Sequence, residues 1–321
     1  MLDAECYLDR VIELVLPIFV LIGIGYLLRH YGVLDASTSY KIVGLLMNVT
    51  YPATLFLALV NQPIPAGVWK VPLWAIAALV ASCAVTYTFA RLTRLDSPTT
   101  GSLVVASSFG NTGYLGVPLL FLAYGEMGRT TGVIYDLFGV SMVLYGIGFS
   151  VLAAFGGEGF TWKSIFLFFR TPMFITAVAA LVVRLLTPAW NAHGHGEWLI
   201  GRVFYQSLHF LTPLTAPLAM ISLGVNLRFR ALREFAPQVG VAVLAKVIVM
   251  PLVAYALVRA FGPLGIPGKA TVLESAMPGG LVVGVLCGRF GCNPRLGAAI
   301  TVGTTLAAIV TLPFWLALLG R

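Results

Sequence analysis

Ten times along this chain, apolar residues run for about the twenty positions that a helix needs to cross a bilayer. The runs lie near 11–30, 38–60, 71–91, 98–125, 130–155, 172–189, 204–227, 237–261, 268–290 and 296–319. Such a chain has few choices. In hydrocarbon every backbone polar group must be satisfied internally, and runs of this length do so as helices. Only 10% of the residues are charged and 59% are hydrophobic, whereas a soluble domain carries about a quarter charged. The expected fold class is therefore an all-α integral membrane protein of ten transmembrane helices.

The loops set the expected orientation. Connections and span ends after odd-numbered spans carry eleven Lys and Arg: Arg29, Lys41, Arg91, Arg94, Lys163, Arg170, Arg228, Arg230, Arg233, Arg289 and Arg295. Those after even-numbered spans carry six: Lys70, Arg129, Arg184, Arg202, Arg259 and Lys269. Cationic loops stay in the cytoplasm, which places both termini outside, in a plasma (inner) membrane. The stretch from Met1 to Arg10 holds Asp3, Glu5 and Asp9. It lacks the basic start of a cleavable signal, so the first span is expected to be retained. The net charge of +8 is scattered singly, which gives no basis for a nucleic-acid partner. The lipid bilayer is the partner expected from composition, and the apolar run Ile165 to Phe169 is read as lying along its interface.

Two spans are badly composed as continuous helices. The fourth contains Phe109-Gly110-Asn111-Thr112-Gly113-Tyr114-Leu115-Gly116-Val117-Pro118. Pro118 has no N–H for the carbonyl of Tyr114, and the glycines add backbone freedom. The ninth contains Ser275-Ala276-Met277-Pro278-Gly279-Gly280, where Pro278 would free the carbonyl of Glu274. Irregular backbone at membrane depth survives only where it is buried or lines a cavity. Paired interrupted helices are a pointer to a transporter site.

The chain also repeats. Pro17-Ile18-Phe19-Val20 with Arg29 recurs as Pro172-Met173-Phe174-Ile175 with Arg184, Pro52 has a counterpart in Pro217, and the two breaks correspond. Five spans per repeat is an odd number, so the second copy must enter the membrane inverted. The expected organisation is a first inverted repeat at 1–155, a cytoplasmic linker at 156–171 and a second repeat at 172–321.

Three ionisable side chains fall well inside spans: Asp136, Lys246 and Glu274. Each costs at least about 2.5–3.5 kcal/mol at the bilayer centre and needs a partner or a purpose. Lys246 is read as the partner of Glu274, an internal ion pair that takes the place of an alkali cation. Asp136 either carries a proton with the solute or sits at the wet end of its span. Asn48 and Tyr51 are candidates to face the solute, whereas Thr54, Asn226 and His209 are read as packing. His193 and His195 are read as loop residues, and no metal-ligand cluster is evident; Na⁺ at Glu274 is the one metal candidate. Cys6, Cys83, Cys287 and Cys292 show no metal spacing and read as packing residues. Neither the paired carboxylates nor the Ser/His constellation of an enzyme that works in lipid is present, so an enzyme is not expected.

Gly23-x-Gly25, Gly110-Asn111-Thr112-Gly113 with Gly116-x-Pro118, and Ala276-Met277-Pro278 resemble the auxin efflux carrier family over essentially the whole chain. That family includes plant PIN exporters and bacterial malonate or malate permeases. The resemblance implies two inverted five-helix repeats as in the bile-acid sodium symporter fold, with helices four and nine broken and crossing. Helices one, two, six and seven would form a scaffold that mediates a homodimer; helices three to five and eight to ten would form a mobile transport unit. It also implies that the solute carboxylate sits near Asn111, with Asp136 lining the pocket. Glu274-Ser275-Ala276-Met277 is similar to a motif of the sodium-coupled symporters in which the glutamate binds Na⁺, while plant PINs lack the acid. H⁺ or Na⁺ coupling is therefore left open, and no other cofactor is expected.

The expected function is secondary transport of a small organic carboxylate, malonate-like, malate-like or auxin-like, by elevator-type alternating access. Asn111, Thr112 and the backbone N–H groups of Gly113, Gly279 and Gly280 would donate to it, with Pro118 and Pro278 shaping the breaks. The alternative is a sodium- or proton-coupled symporter or antiporter on the same fold.

Overall fold

The computed structural model describes residues 4–61, 64–65, 67–160, 165–186 and 199–320. Its regular elements among these residues are all helical, and one isolated backbone bridge is present besides them. Seven helical stretches among them are long and apolar enough to cross a membrane. His193 and His195 lie outside the described residues, as does the end of the sixth apolar run.

The chain opens with α1 (Ala4–His30), then α2 (Ala36–Leu45) and α3 (Tyr51–Asn61), which are joined by a π turn at Leu46–Thr50. Asp35 caps α2 by accepting from the Thr38 N–H at 2.7 Å. Helix α4 (Lys70–Leu92) precedes α5 (Ser97–Ser108), which is buried on all sides from Thr100 onward. Its composition of Ser, Thr, Ala, Val and Gly explains that depth, because small side chains let backbones approach closely in a membrane. A π turn at Thr112–Gly116 leads into α6 (Val117–Ile134). Helix α6 doubles back at Gly125, whose φ of +66° and ψ of −153° suit glycine. Arg129, placed by sequence in a loop, is 5% exposed there. It pairs with Glu126 and lies 4.8 Å from the Phe121 ring centroid.

Two further π turns, Tyr135–Ser141 and Leu144–Gly148, connect α6 to α7 (Phe149–Phe155). Then come the short α8 (Ile165–Phe168), α9 (Pro172–Leu186), α10 (Leu199–Leu211), α11 (Thr215–Asn226) and the short α12 (Arg230–Glu234). A π turn at Leu244–Val249 joins α13 (Ala236–Val243) to α14 (Met250–Phe261). Helix α15 (Ile266–Ser275) is buried almost throughout, like α5, and a non-helical stretch separates it from α16 (Val283–Arg289). Helix α17 (Pro294–Gly320) closes the chain.

Packing pairs distant helices. Helix α1 lies on α11 and α3 lies on α9. Arg29 of α1 donates to the Val225 carbonyl near the end of α11 at 2.7 Å, and Arg184 of α9 donates to the Leu59 carbonyl near the end of α3 at 2.9 Å. In each case a cation meets the carbonyls that a helix end leaves unpaired. At the same end of α11, Asn226 donates to Ser39 at 2.6 Å and to the Ser222 carbonyl at 2.9 Å, and at its start Thr215 bonds Thr54 at 3.0 Å. These polar groups hold helices together, as expected.

Candidate binding site at the two helix breaks

The unwound segments touch. The Asn111 N–H donates to the Pro278 carbonyl at 2.7 Å, and the Gly280 N–H donates to the Phe109 carbonyl at 2.9 Å, a two-residue antiparallel bridge between Gly110 and Gly279. Backbone groups released by each break are thus satisfied by the other break. The break in the first segment is shorter than expected and lies further upstream. Phe109 is extended (φ −93°, ψ 112°) and Asn111 has φ −84° and ψ 54°, but the chain is helical again from Thr112. Pro118 therefore does not make the gap. It sits in the first turn of α6, where a missing N–H costs little.

In the second segment the freed carbonyl belongs to Ser275 instead of Glu274. The Glu274 carbonyl accepts the Met277 N–H at 3.2 Å. The Ser275 carbonyl, at the C-terminus of α15, accepts from the Lys246 ammonium at 2.9 Å. A cation at that end matches the negative pole of the helix. In the first half of the chain the same task falls to Ser82, whose hydroxyl donates to the Ser107 carbonyl at 2.9 Å.

Lys246 and Glu274 are not an ion pair. Besides Ser275 the ammonium contacts Met250 Sδ at 3.3 Å, and a Cβ on Gly110 would stand 3.0 Å from its Nζ. Lys246 therefore bridges both breaks. Glu274 is 0% exposed, and neither carboxylate oxygen has a hydrogen-bond partner. The carboxyl group lies against the Cα positions of Gly116 and Gly132, where ideal Cβ atoms would stand 2.0 Å and 2.8 Å from its oxygens.

Asp136 is well partnered. It accepts from the Tyr51 hydroxyl at 2.6 Å, from Thr112, and from Ser141 at 3.3 Å, all buried. The carboxylate also lies beside Gly113, in the first turn after the break, where a negative charge is favoured. The N–H groups expected to receive a solute are engaged inside the protein: Gly279 donates to Thr304 at 2.9 Å and Gly280 to Phe109. Asn48 is exposed and donates to the Gly44 carbonyl of its own helix at 2.7 Å, so it does not join the cluster. The amide nitrogen of Asn111 is different. It is buried, next to the bridge, and has no partner.

Sequence reasoning missed several participants. Thr304 and Ser141 are ordinary hydroxyls in apolar runs, and Gly132 carries no motif. The missed signal was spacing: Asp136 lies beside Gly113, and Thr304 accepts from the Gly279 N–H 25 residues before it.

The model of a family described as membrane transport protein matches residues 10–158 and 159–316 of this chain. An uncharacterized transporter of Methanothermobacter thermautotrophicus is 29% identical over 94% of this chain and 96% of its own length. A second uncharacterized transporter, from Methanocaldococcus jannaschii, is 24% identical over 94% and 97%. A protein of Rhizobium meliloti named "Putative malonate transporter" is 24% identical over 64% of this chain and 63% of its own.

Proposed function

The chain belongs to the membrane transport protein family of auxin efflux carriers, and from that premise we propose that it is a secondary transporter of a small organic carboxylate. The unpartnered Asn111 amide nitrogen carries the solute class. A buried donor without an acceptor is costly, and a carboxylate oxygen would complete it. Lys246, bridging the two breaks, adds a positive charge beside that point. Tyr51, Thr112, Gly113 and Asp136 form one wall, and Pro278, Gly279 and Gly280 form the other. The name of the Rhizobium relative makes malonate the first probe.

The architecture belongs to the same proposal: ten spans in two inverted repeats, 1–155 and 172–321, joined by a cytoplasmic linker. The termini lie outside the cytoplasm, in the plasma (inner) membrane. Paired contacts support it, because Arg29 serves α11 as Arg184 serves α3, and Ser82 serves α5 as Lys246 serves α15. Spans one, two, six and seven form the dimerising scaffold. Spans three to five and eight to ten carry the breaks between the two faces of the membrane. With an inside-negative potential, export of one negative charge gains about 2.3 kcal/mol per 100 mV, while uptake needs a coupling ion. The donor-less Glu274 favours a cation-coupled version as the second reading.

A thermal-shift screen of the purified protein against malonate, malate, indole-acetate and bile acids, with and without Na⁺, tests this reading. Malonate or malate should raise the melting temperature, and Asn111→Ala should abolish the rise. If no carboxylate shifts the wild type, the assignment is wrong.

A further inference from the structure

Among the described residues, Glu274 is the acid with both carboxylate oxygens buried and unpartnered. Its carboxyl is fully buried, both oxygens lack donors, and the one nearby cation is spent on the Ser275 carbonyl. A buried carboxylate in that condition is costly. Asp136, the other buried acid, has three hydroxyl donors and sits at a helix start. The two acids thus differ in kind. One has its oxygens held by hydroxyl donors, and the other has no donor on either oxygen.

The surroundings of Glu274 also discriminate between cations. Hard metal ions are held by several oxygens. At Gly132 the space beside the carboxyl is bounded by Leu120 Cδ1 and Val117 Cγ2, and at Gly116 by bare Cα. No group of three or more His, Cys, Asp and Glu that could hold a metal ion occurs among the described residues. A proton, unlike a metal ion, needs no further oxygen ligands around the carboxyl.

The ionisable groups facing Glu274 are Lys246 from the π turn before α14, Asp136 and Tyr135 from the π turn after α6, and Tyr51 from α3. Helices α4, α6, α14 and α17 and the π turn Thr112–Gly116 also pack on α15, and among the described residues they bring no further ionisable side chain to bear on its carboxyl. With both acids ionised this buried set would be net negative, which repels an organic anion. With Glu274 neutral, Lys246 and Asp136 balance.

We propose that Glu274 is a proton site of the transport cycle: its carboxyl takes a proton from water on one side of the membrane, travels neutral with the organic anion, and releases the proton to water on the other. This rests on the carrier reading above and names its coupling ion.

Two measurements test it independently. The first needs no solute: infrared spectra of the purified protein at neutral pH should show the carbonyl stretch of an un-ionised carboxylic acid. Labelling glutamate, but not aspartate, with ¹³C should move the band, and Glu274→Gln should remove it. The labelling arm decides the matter even if the variant does not fold. The second uses proteoliposomes enclosing a pH-sensitive dye: malonate entry should acidify the lumen, beyond protein-free vesicles, and Glu274→Gln should abolish the acidification. The proposal is overturned if the glutamate band is missing, if malonate enters without protons, or if Glu274→Gln leaves acidification intact. Should malonate neither bind nor enter, the carrier reading for that solute fails, while the infrared band still decides the state of Glu274.

Discussion

The Tyr51 hydroxyl donates to Oδ2 of Asp136 across 2.6 Å, with both side chains buried. This contact joins α3, proposed as scaffold, to the turn after α6, proposed as part of the moving unit. It therefore has to break or slide if the two units shift past each other. Tyr51→Phe removes the donor but keeps the ring, which packs at 5.3 Å on Tyr114. A hydrogen bond to a charged group contributes about 1.5–3 kcal/mol. We expect a clear drop in melting temperature and weaker malonate stabilisation, both read by thermal shift. An unchanged variant would remove Tyr51 from the site.

Lys246→Met keeps the stem and deletes the cation. The Ser275 carbonyl would lose its 2.9 Å donor, and the crossing would lose its positive charge. A buried acceptor left unpaired costs about 1–3 kcal/mol, so stability should fall and malonate affinity should drop at least tenfold. Isothermal titration with malonate measures the second effect. If Lys246 acted only as a strut, the melting temperature would fall while affinity held.

Helices were legible in the sequence because twenty apolar residues leave little choice, and the breaks were legible because Gly, Asn and Pro stand where helix formers should. The finer geometry was not. Thr112, Gly113, Asp136 and Lys246 all lie on π turns, and Tyr51 directly follows one. A π turn inserts one residue and rotates every side chain after it, and such turns gather at functional sites. Charge alone paired Lys246 with Glu274, named no partner for Asp136 and made Asn48 a candidate to face the solute, whereas the folded chain gives each of these side chains other neighbours. Pro118 misled for a simpler reason. Proline is tolerated in a helix's first turn, so it marked where α6 begins instead of where the chain unwinds.

Asp35 provides a pH prediction outside the membrane. Thr38 donates its backbone N–H and its hydroxyl to Asp35, each at 2.7 Å, and these bonds hold the carboxyl below its ordinary value of 3.8. A depressed value means the folded state favours the charged form, so the cap's contribution is present above that ordinary value and fades as pH falls through the lower, folded one. Asp35→Ala should lower the melting temperature at neutral pH and narrow its gap from wild type as acid is added. A gap constant from neutral pH to about pH 3 would show that the carboxylate contributes nothing.

The glycines of α1 separate contact from composition. A Cβ on Gly25 would stand 2.1 Å from the Ile221 carbonyl oxygen, and one on Gly224 would stand 2.0 Å from that of Ile22. Both obstacles are backbone, so α1 and α11 would have to part. Gly23, two residues away on the same helix, has nothing within 4 Å of its Cβ position. Overpacking costs about 1–3 kcal/mol, whereas alanine in an open helical position gains up to about 1 kcal/mol over glycine. Gly25→Ala and Gly224→Ala should therefore melt several degrees lower than wild type, and Gly23→Ala should melt at or above it. If all three behaved alike, the close approach of these two helices would not be what holds them together.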